Sequence, residues 1–328
     1  MQTAFSVICP SRLHLSLIGM GHAGYRVNGG IGFALNAPSL DIQFSISSEP
    51  GIDIQDVREF PFETIQIQQL QALLGGFISN NKIAQGVRIH VGGSTPTHGG
   101  FGSSTAIRLA CLEGMSHLFN LEASREELVV ASGRGGTSGI GINTYFDGGF
   151  VFDVGHAAEG SDFAPSHSRT GHDPSLALIQ MPMPQWEIGV CIPRQIPLKT
   201  QLEEQHFFRS HCPLPACDIH EILYHSVYGI TASVKERDFG RFCGAVRALQ
   251  RTAWKKGERT LYGERLQQVE DAIYDAGALA VGMSSLGPGL FFLGDDVPTK
   301  IEALRKQLPT CEWLSTSVRN SGREVEDG

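Results

Sequence analysis

Residues 96–106 read PTHGGFGSSTA, three glycines and then three hydroxyl residues at the start of an apolar run. Gly99, Gly100 and Gly102 let the backbone come close to a ligand, and a helix opening there offers unpaired N–H groups with partial positive charge. Ser103, Ser104 and Thr105 add hydroxyl donors, so phosphate or pyrophosphate is the natural guest. No GK[ST] follows, which excludes a Walker A loop, and the spacing is not the dinucleotide GxGxxG. A glycine-rich turn with a serine cap accounts for the same residues. Two further stretches weigh toward a ligand. RVNGG (26–30) brings Arg26 and Asn28 beside unhindered backbone, and GRGGTSGIG (133–141) brings Arg134, Thr137 and Ser138. Arginine grips phosphate through paired charge-assisted hydrogen bonds, and several such groups beside glycine and hydroxyl clusters suit a multiply charged substrate.

Near the other end, GMSSLGPGLFFL (282–293) places Ser284 and Ser285 in a turn between two apolar strands, where a simple β-turn fits equally well. Twelve histidines are present, but HExxH is absent and their spacing is irregular. His14 and His156 stand apart because each interrupts or ends a strand beside a candidate ligand loop. Seven scattered cysteines without CxxC fit reduced thiols, with Cys212 and Cys217 as packing or loop residues rather than a metal pair.

These loops need elements to hold them. SRLHLSLIG puts Leu13, Leu15 and Leu17 on one face of a strand, with His14 and Ser16 on the other. LDIQFSIS (40–47) alternates likewise, and the glycine pair of YRVNGGIGFAL between them marks a turn or a close backbone approach. TIQIQQLQALLGGFIS recurs at helical spacing, and VRIHV (87–91) is a strand leading into the first loop. SSTAIRLACLEGMSHLF reads as the helix that follows it. Ser124 and Glu127 form a capping box for another, and Asp238 caps a later one. Residues 133–156 are too glycine-rich for regular structure before GFVFDV, and 157–185 read as loop with one short strand. The C-terminal half mixes amphipathic helices with short strands, and the tail SGREVEDG reads as frayed. The pattern is α+β, with a boundary that gives domains 1–182 and 183–328.

A chain of 328 residues, 41% hydrophobic and 18% charged, has ample material for a core. A net charge of −8 argues against nucleic acid and anionic membranes as partners while leaving room for a local basic pocket. The start has neither a basic n-region nor a long apolar run, so the expected location is cytoplasmic.

PTHGGFGSSTA resembles the phosphate loop of the GHMP superfamily, named for galactokinase, homoserine, mevalonate and phosphomevalonate kinases. SRLHLSLIGMG with RVNGGIGFAL, GRGGTSGIGINTYFDGGFVFDVGH and GMSSLGPGLFFL resemble instead a non-kinase branch, the β-ribofuranosylaminobenzene 5′-phosphate synthases. PLKTQLEEQHFF and SVKERDFGRF extend that likeness over nearly the whole chain. The resemblance implies an N-terminal domain like the second domain of ribosomal protein S5 and a ferredoxin-like C-terminal domain. It implies a transferase that joins C1 of phosphoribosyl pyrophosphate to the ring carbon of 4-hydroxybenzoate or 4-aminobenzoate. Pyrophosphate and CO2 are expelled with Mg²⁺ assistance, on the route to methanopterin-type cofactors, and a homodimer is the expected assembly. Relatives that make C-nucleosides from a heteroaromatic carboxylate keep a second acceptor class open. An ATP-dependent small-molecule kinase and a non-catalytic phospho-metabolite binder are the rival readings.

By this likeness Gly99, Gly100, Gly102, Ser103, Ser104 and Thr105 hold pyrophosphate or 5′-phosphate, with Thr137 and Ser138 beside them. Arg26, Asn28, Arg134 and His156 are the catalytic candidates. Arg12, His14, Ser284 and Ser285 are assigned to the acceptor or the other phosphate end. Asp147, Asp153 and Glu113 are possible Mg²⁺ carboxylates, the metal ligands being otherwise unassigned. The C-terminal loop departs from the family, reading GPGLFF where a β-branched and an aromatic residue are expected after GP. That departure leaves the acceptor open.

Overall fold

A computed structural model describes residues 5–158, 163–168 and 174–327. The first half runs β1 (Phe5–Gly19), β2 (Arg26–Ser47), β3 (Ile52–Asp56), α1 (Thr64–Asn80), β4 (Gly86–Gly93) and α2 (Ser103–Leu118). It continues through α3 (Arg125–Ser132), α4 (Ile140–Asp147), β5 (Phe150–Asp153), the short β6 (His156–Ala157) and β7 (Ala177–Met181). The second half runs β8 (Glu187–Pro193), α5 (Gln201–His211), α6 (Ala216–Tyr224), a π-helical stretch over His225–Thr231, α7 (Ala232–Glu236) and α8 (Phe239–Leu249). Then come α9 (Ala253–Thr260), α10 (Glu264–Asp275), β9 (Ala280–Met283), β10 (Leu290–Leu293), α11 (Val297–Gln307), β11 (Cys311–Ser317) and β12 (Glu324–Asp327).

The first sheet has the order β12-β1-β2-β4-β3, and β5 joins β2 to β7. All pairs are antiparallel except β3 with β4. The length of β2 explains the branch: residues 40–47 pair with β4 and residues 30–33 with β5. The second sheet is antiparallel in the order β11-β8-β10-β9. This is an α+β protein of the GHMP type.

One apolar cluster joins the first sheet to α1 and α2 through Phe5, Ile42, Phe44, Leu74, Ile107 and Met115. Another bridges the two halves, packing Leu15 and Phe33 of the first sheet with Phe207, Phe242, Trp254 and Phe291 of the second half. At ~25 cal/mol per Å² of apolar surface, such side chains contribute ~1.5–3 kcal/mol each, which resists separation of the halves.

The alternation in β1 suggests one wet face, but both are covered. His14 is 4% exposed and Ser16 fully buried, because loops from both halves cover the second face, and the register shifts between them. The glycine-rich block also contains a helix that its composition conceals. Gly139 and Gly148 bound α4, while Ile140, Ile142 and Tyr145 bury its apolar side. The Gly29–Gly30 pair lies inside β2 and is the close approach rather than a turn. Gly29 sits at φ +82°, and a Cβ there would meet Asp153 O at 2.5 Å. The tail is not frayed over its described residues: β12 pairs with β1 from Phe5↔Asp327 to Ile8↔Glu324. Cys212 and Cys217 carry free thiols, as do the other five cysteines.

Candidate active site

The first loop connects β4 to α2, and its shape is dictated by its neighbour across the halves. Gly100 has φ +87°, and a Cβ on it would lie 2.2 Å from Ser284 O. Ser284 Oγ donates to Gly100 O at 2.6 Å, and Gly289 N donates to Gly99 O at 3.1 Å. The β9–β10 loop is thereby stitched to the first loop. Gly102, in the left-handed region, is the N-cap of α2 and supplies no side chain to cap it. The N–H groups of Ser103 and Ser104 have no carbonyl one turn back, so they open toward the cleft with the positive end of the helix dipole.

The cleft at this helix end is lined by Gly100, Gly102, Ser103, Ser104 and Thr105 from the first loop and α2. Arg12 and His14 reach it from β1, Arg134, Thr137 and Ser138 from the 133–141 loop, and Ser285 from the β9–β10 loop. These eleven positions were singled out in the sequence, and folding brings them to one place. Besides the three carboxylates, the other five lie outside the lining. Gly99 and Ser284 tie the loops together from behind. Arg26 is exposed and donates to Val154 O and Gly155 O at 2.9 and 2.6 Å. His156 Nε2 contacts Gly135 O at 3.1 Å. Asn28 is buried at φ +66°, its amide without a hydrogen-bond partner.

Three guanidinium groups converge in the cleft. Arg12 donates to Gly100 O at 2.5 Å, Arg134 donates through Nε to Thr105 Oγ1 at 3.1 Å, and Arg108 donates to Ser132 O at 2.9 Å. Burial and then Arg134 push Arg12 down to about 10; burial and then Arg108 do the same to Arg134, with Glu204 opposing in both cases. Burial alone lowers Arg108. Among the described residues, two carboxylates line the cleft. Glu258 is ion-paired with Lys255, while Glu204 stands near His98, Oε1 to Nδ1 3.6 Å. Three arginines therefore share the cleft with two carboxylates that each have partners of their own, and the excess positive charge is a reason for an anion to bind.

His14 is held neutral. Burial, then Arg12, then Lys255 keep it well below the ordinary imidazole value, and its Nε2 lies 3.0 Å from Ser138 Oγ. The 133–141 loop that carries Ser138 is anchored by the buried Asp153, which accepts from Gly139 N, Gly155 N and Ser175 Oγ at 2.9, 2.8 and 2.7 Å. Burial outweighs these bonds and raises the Asp153 carboxyl to about 6. Leu17, Phe62, Phe208 and Leu286 give the cleft apolar walls.

Asp153, Asp147 and Glu113 are all engaged away from the cleft. Asp147 pairs with Arg125 at 2.6 Å, and Glu113 pairs with Arg323 and accepts from Tyr145. No group of three or more His, Cys, Asp or Glu among the described residues could hold a metal by itself. Sequence reasoning missed Arg108, His98, Glu204 and the Lys255–Glu258 pair. Arg108 had a signal, since it follows Ser104 by four residues and so shares its helix face.

Comparison with known proteins bears on family and fold. The GHMP kinases N terminal domain family matches residues 67–148, the span containing the first loop and α2. Beta-ribofuranosylphenol 5′-phosphate synthase of Methanothermobacter thermautotrophicus is 30% identical over 95% of this chain and 96% of its own. The protein of that name from Archaeoglobus fulgidus is 31% identical over 97% and 98%. Among solved structures, homoserine kinase from Cytophaga hutchinsonii superposes with a TM-score of 0.69 at 18% identity, covering 98% of this chain and 97% of that one. Mevalonate kinase from L. major, in complex with R-mevalonate, gives 0.66 at 15% identity and 96% coverage of each. The kinases share the scaffold, and the full-length relatives decide the branch: this chain belongs to the beta-ribofuranosylphenol 5′-phosphate synthase family.

Proposed function

We propose that the cleft transfers the phosphoribosyl group of phosphoribosyl pyrophosphate to the ring carbon of 4-hydroxybenzoate or 4-aminobenzoate, releasing pyrophosphate and CO2. The product is a C-riboside of the kind used in methanopterin-type cofactors. The observation that carries this reading is the convergence of Arg12, Arg108 and Arg134 on the open N-terminus of α2.

Breaking the bond from C1 to pyrophosphate leaves negative charge on the departing group and positive charge on the ribose. Fixed N–H dipoles of Ser103 and Ser104, with Arg134 and Arg108, stabilise the first without reorganising at the moment of reaction. The apolar walls from Leu17, Phe62, Phe208 and Leu286 suit an aromatic ring and keep water from the ribosyl cation. Attack by an electron-rich ring carbon then needs alignment more than a strong base, because loss of CO2 restores aromaticity. Neutral His14, bonded to Ser138, can exchange a hydrogen bond with the acceptor without adding a charge.

The donors present fit a Mg²⁺ that arrives on the substrate. Glu204 and the hydroxyls of Ser103, Ser104 and Thr105 are too few to hold a resident ion alone, whereas pyrophosphate oxygens supply most of the shell. When bound, the ion screens the charge of the leaving group.

The test is incubation with phosphoribosyl pyrophosphate, Mg²⁺ and each benzoate, followed for pyrophosphate, CO2 and the C-riboside. ATP consumption with an alcohol acceptor, and no pyrophosphate release, would replace this reading with a kinase.

A further inference from the structure

The least accessible cation near the cleft does not touch it. Lys255, on α9, is fully buried, and its ammonium has three acceptors: Glu258 Oε2, Met283 O at 2.8 Å and Ser285 O at 3.2 Å. Glu258 is also held by Trp254 Nε1 at 2.6 Å. An ammonium has three N–H donors, so every one is used. Two of them bracket Ser284 by gripping the carbonyls on either side of it.

Ser284 is the stitch between the halves. Its Oγ donates to Gly100 O at 2.6 Å and accepts from His14 N at 3.0 Å, while Ser285 N donates to His14 O at 2.8 Å. Gly100 O also receives Arg12. Ser285 adopts φ +53°, a backbone state unfavourable for a serine, so outside contacts must hold it there. A chain of direct bonds thus runs from Lys255 through the 283–285 backbone to His14, Gly100 and Arg12.

We infer that Lys255 is a positioning residue of the cleft: its buried ammonium fixes the β9–β10 loop, and through Ser284 it sets Gly100 and His14 relative to each other across the two halves. Its function in turnover rests on the reading of the cleft as the site of phosphoribosyl transfer. Burying a lysine has a desolvation cost that Glu258 and two carbonyls offset, and a loop held only for stability could be held by apolar packing instead. Lys255 also acts at a distance. The charged groups that bear on His14 are Arg12, from its own strand, and Lys255, from α9; its ring partner Ser138 is uncharged. The same ammonium therefore fixes His14 and helps to keep it neutral.

The experiment is Lys255→Met, read two ways. The first is imidazole NMR titration of His14 in the free protein, which involves no turnover. The second is steady-state kinetics with phosphoribosyl pyrophosphate and 4-hydroxybenzoate. The expected result is a His14 titration displaced to higher pH, with kcat reduced about 100-fold, the scale of a misalignment of about 1 Å. KM for phosphoribosyl pyrophosphate should change less than about threefold, since the N–H groups of α2 are untouched by the substitution. An unmoved titration together with wild-type kcat in folded Lys255→Met overturns the inference. If Lys255→Met does not fold, Ser284→Ala decides: it removes the stitch and keeps the lysine. The same fall in kcat at constant KM supports the inference, and wild-type kcat overturns it. Should the wild-type protein fail to make the riboside, the proposed function fails, and the His14 titration still judges Lys255.

Discussion

Arg134→Ala should weaken pyrophosphate binding and yet stabilise the free protein. In the folded chain Arg134 is pushed down to about 10 by burial and by Arg108, only partly relieved by Glu204. An unfolded chain holds that proton to the higher, ordinary arginine value. At pH 7.5 the folded state therefore houses a charge that it disfavours, a cost that is present in full below about pH 10 and fades as pH rises above it. The shift corresponds to ~3 kcal/mol at most. Solvent reaching the side chain from the cleft, and the packing lost with its stem, bring the net gain to ~1 kcal/mol, or a rise in Tm of ~2 °C for a chain of this size. With pyrophosphate bound the sign reverses. Losing one charge-assisted hydrogen bond to the anion costs ~1.5–3 kcal/mol, a Kd increase of ~10- to 150-fold. Scanning fluorimetry without ligand and titration calorimetry with Mg²⁺ and pyrophosphate read the two effects separately. A lower Tm in the free variant together with unchanged pyrophosphate affinity would refute the argument that the arginines are held in readiness for an anion.

Three further outcomes are expected. Ser104→Ala removes a cleft hydroxyl but leaves the backbone N–H groups, so KM for phosphoribosyl pyrophosphate should rise ~5- to 10-fold with no loss of stability; pyrophosphate-release kinetics checks this. Asp153 keeps its proton to about 6 when folded and releases it near 3.8 when unfolded, so its contribution to stability falls as pH rises through that window. Asp153→Asn should flatten this slope. It should also be less stable than wild type at pH 4, because an amide NH2 must face N–H donors that a carboxyl oxygen now satisfies; urea unfolding at several pH values measures both. Gly114→Ala would bring a methyl to 2.4 Å from the Phe44 ring, costing ~1–3 kcal/mol through overpacking, and the Tm should fall while pyrophosphate affinity persists.

Much of the cleft was legible because its parts use local signals. Three glycines interrupted by Phe101 and followed by serines, before a helical pattern, can be read from spacing, and so can Arg134 among its glycines. What could not be read was tertiary. The Lys255–Lys256 pair reads as solvated charge, and nothing local says that Lys255 ends under Ser285. Arg26 looked as suitable as Arg134, yet the path of β2 turns it outward onto Val154 and Gly155 carbonyls. Helix α4 was hidden because glycine counts are averaged over a block, whereas the helix depends on where the glycines fall, at its two ends. Period-two alternation in β1 gave the strand correctly and the burial wrongly, since a second layer contributed by the other half covers the face that alternation marks as polar.

The pairing of β12 with β1 has a consequence for how the chain is made. The β1 edge of the first sheet is closed by a strand that follows the whole second half in the chain. Until Glu324–Asp327 emerge, the nascent sheet presents an open row of N–H and C=O groups along Phe5–Ile8, available to any other strand. The first half cannot close by itself during synthesis, so a product that lacks β12 would leave β1 exposed.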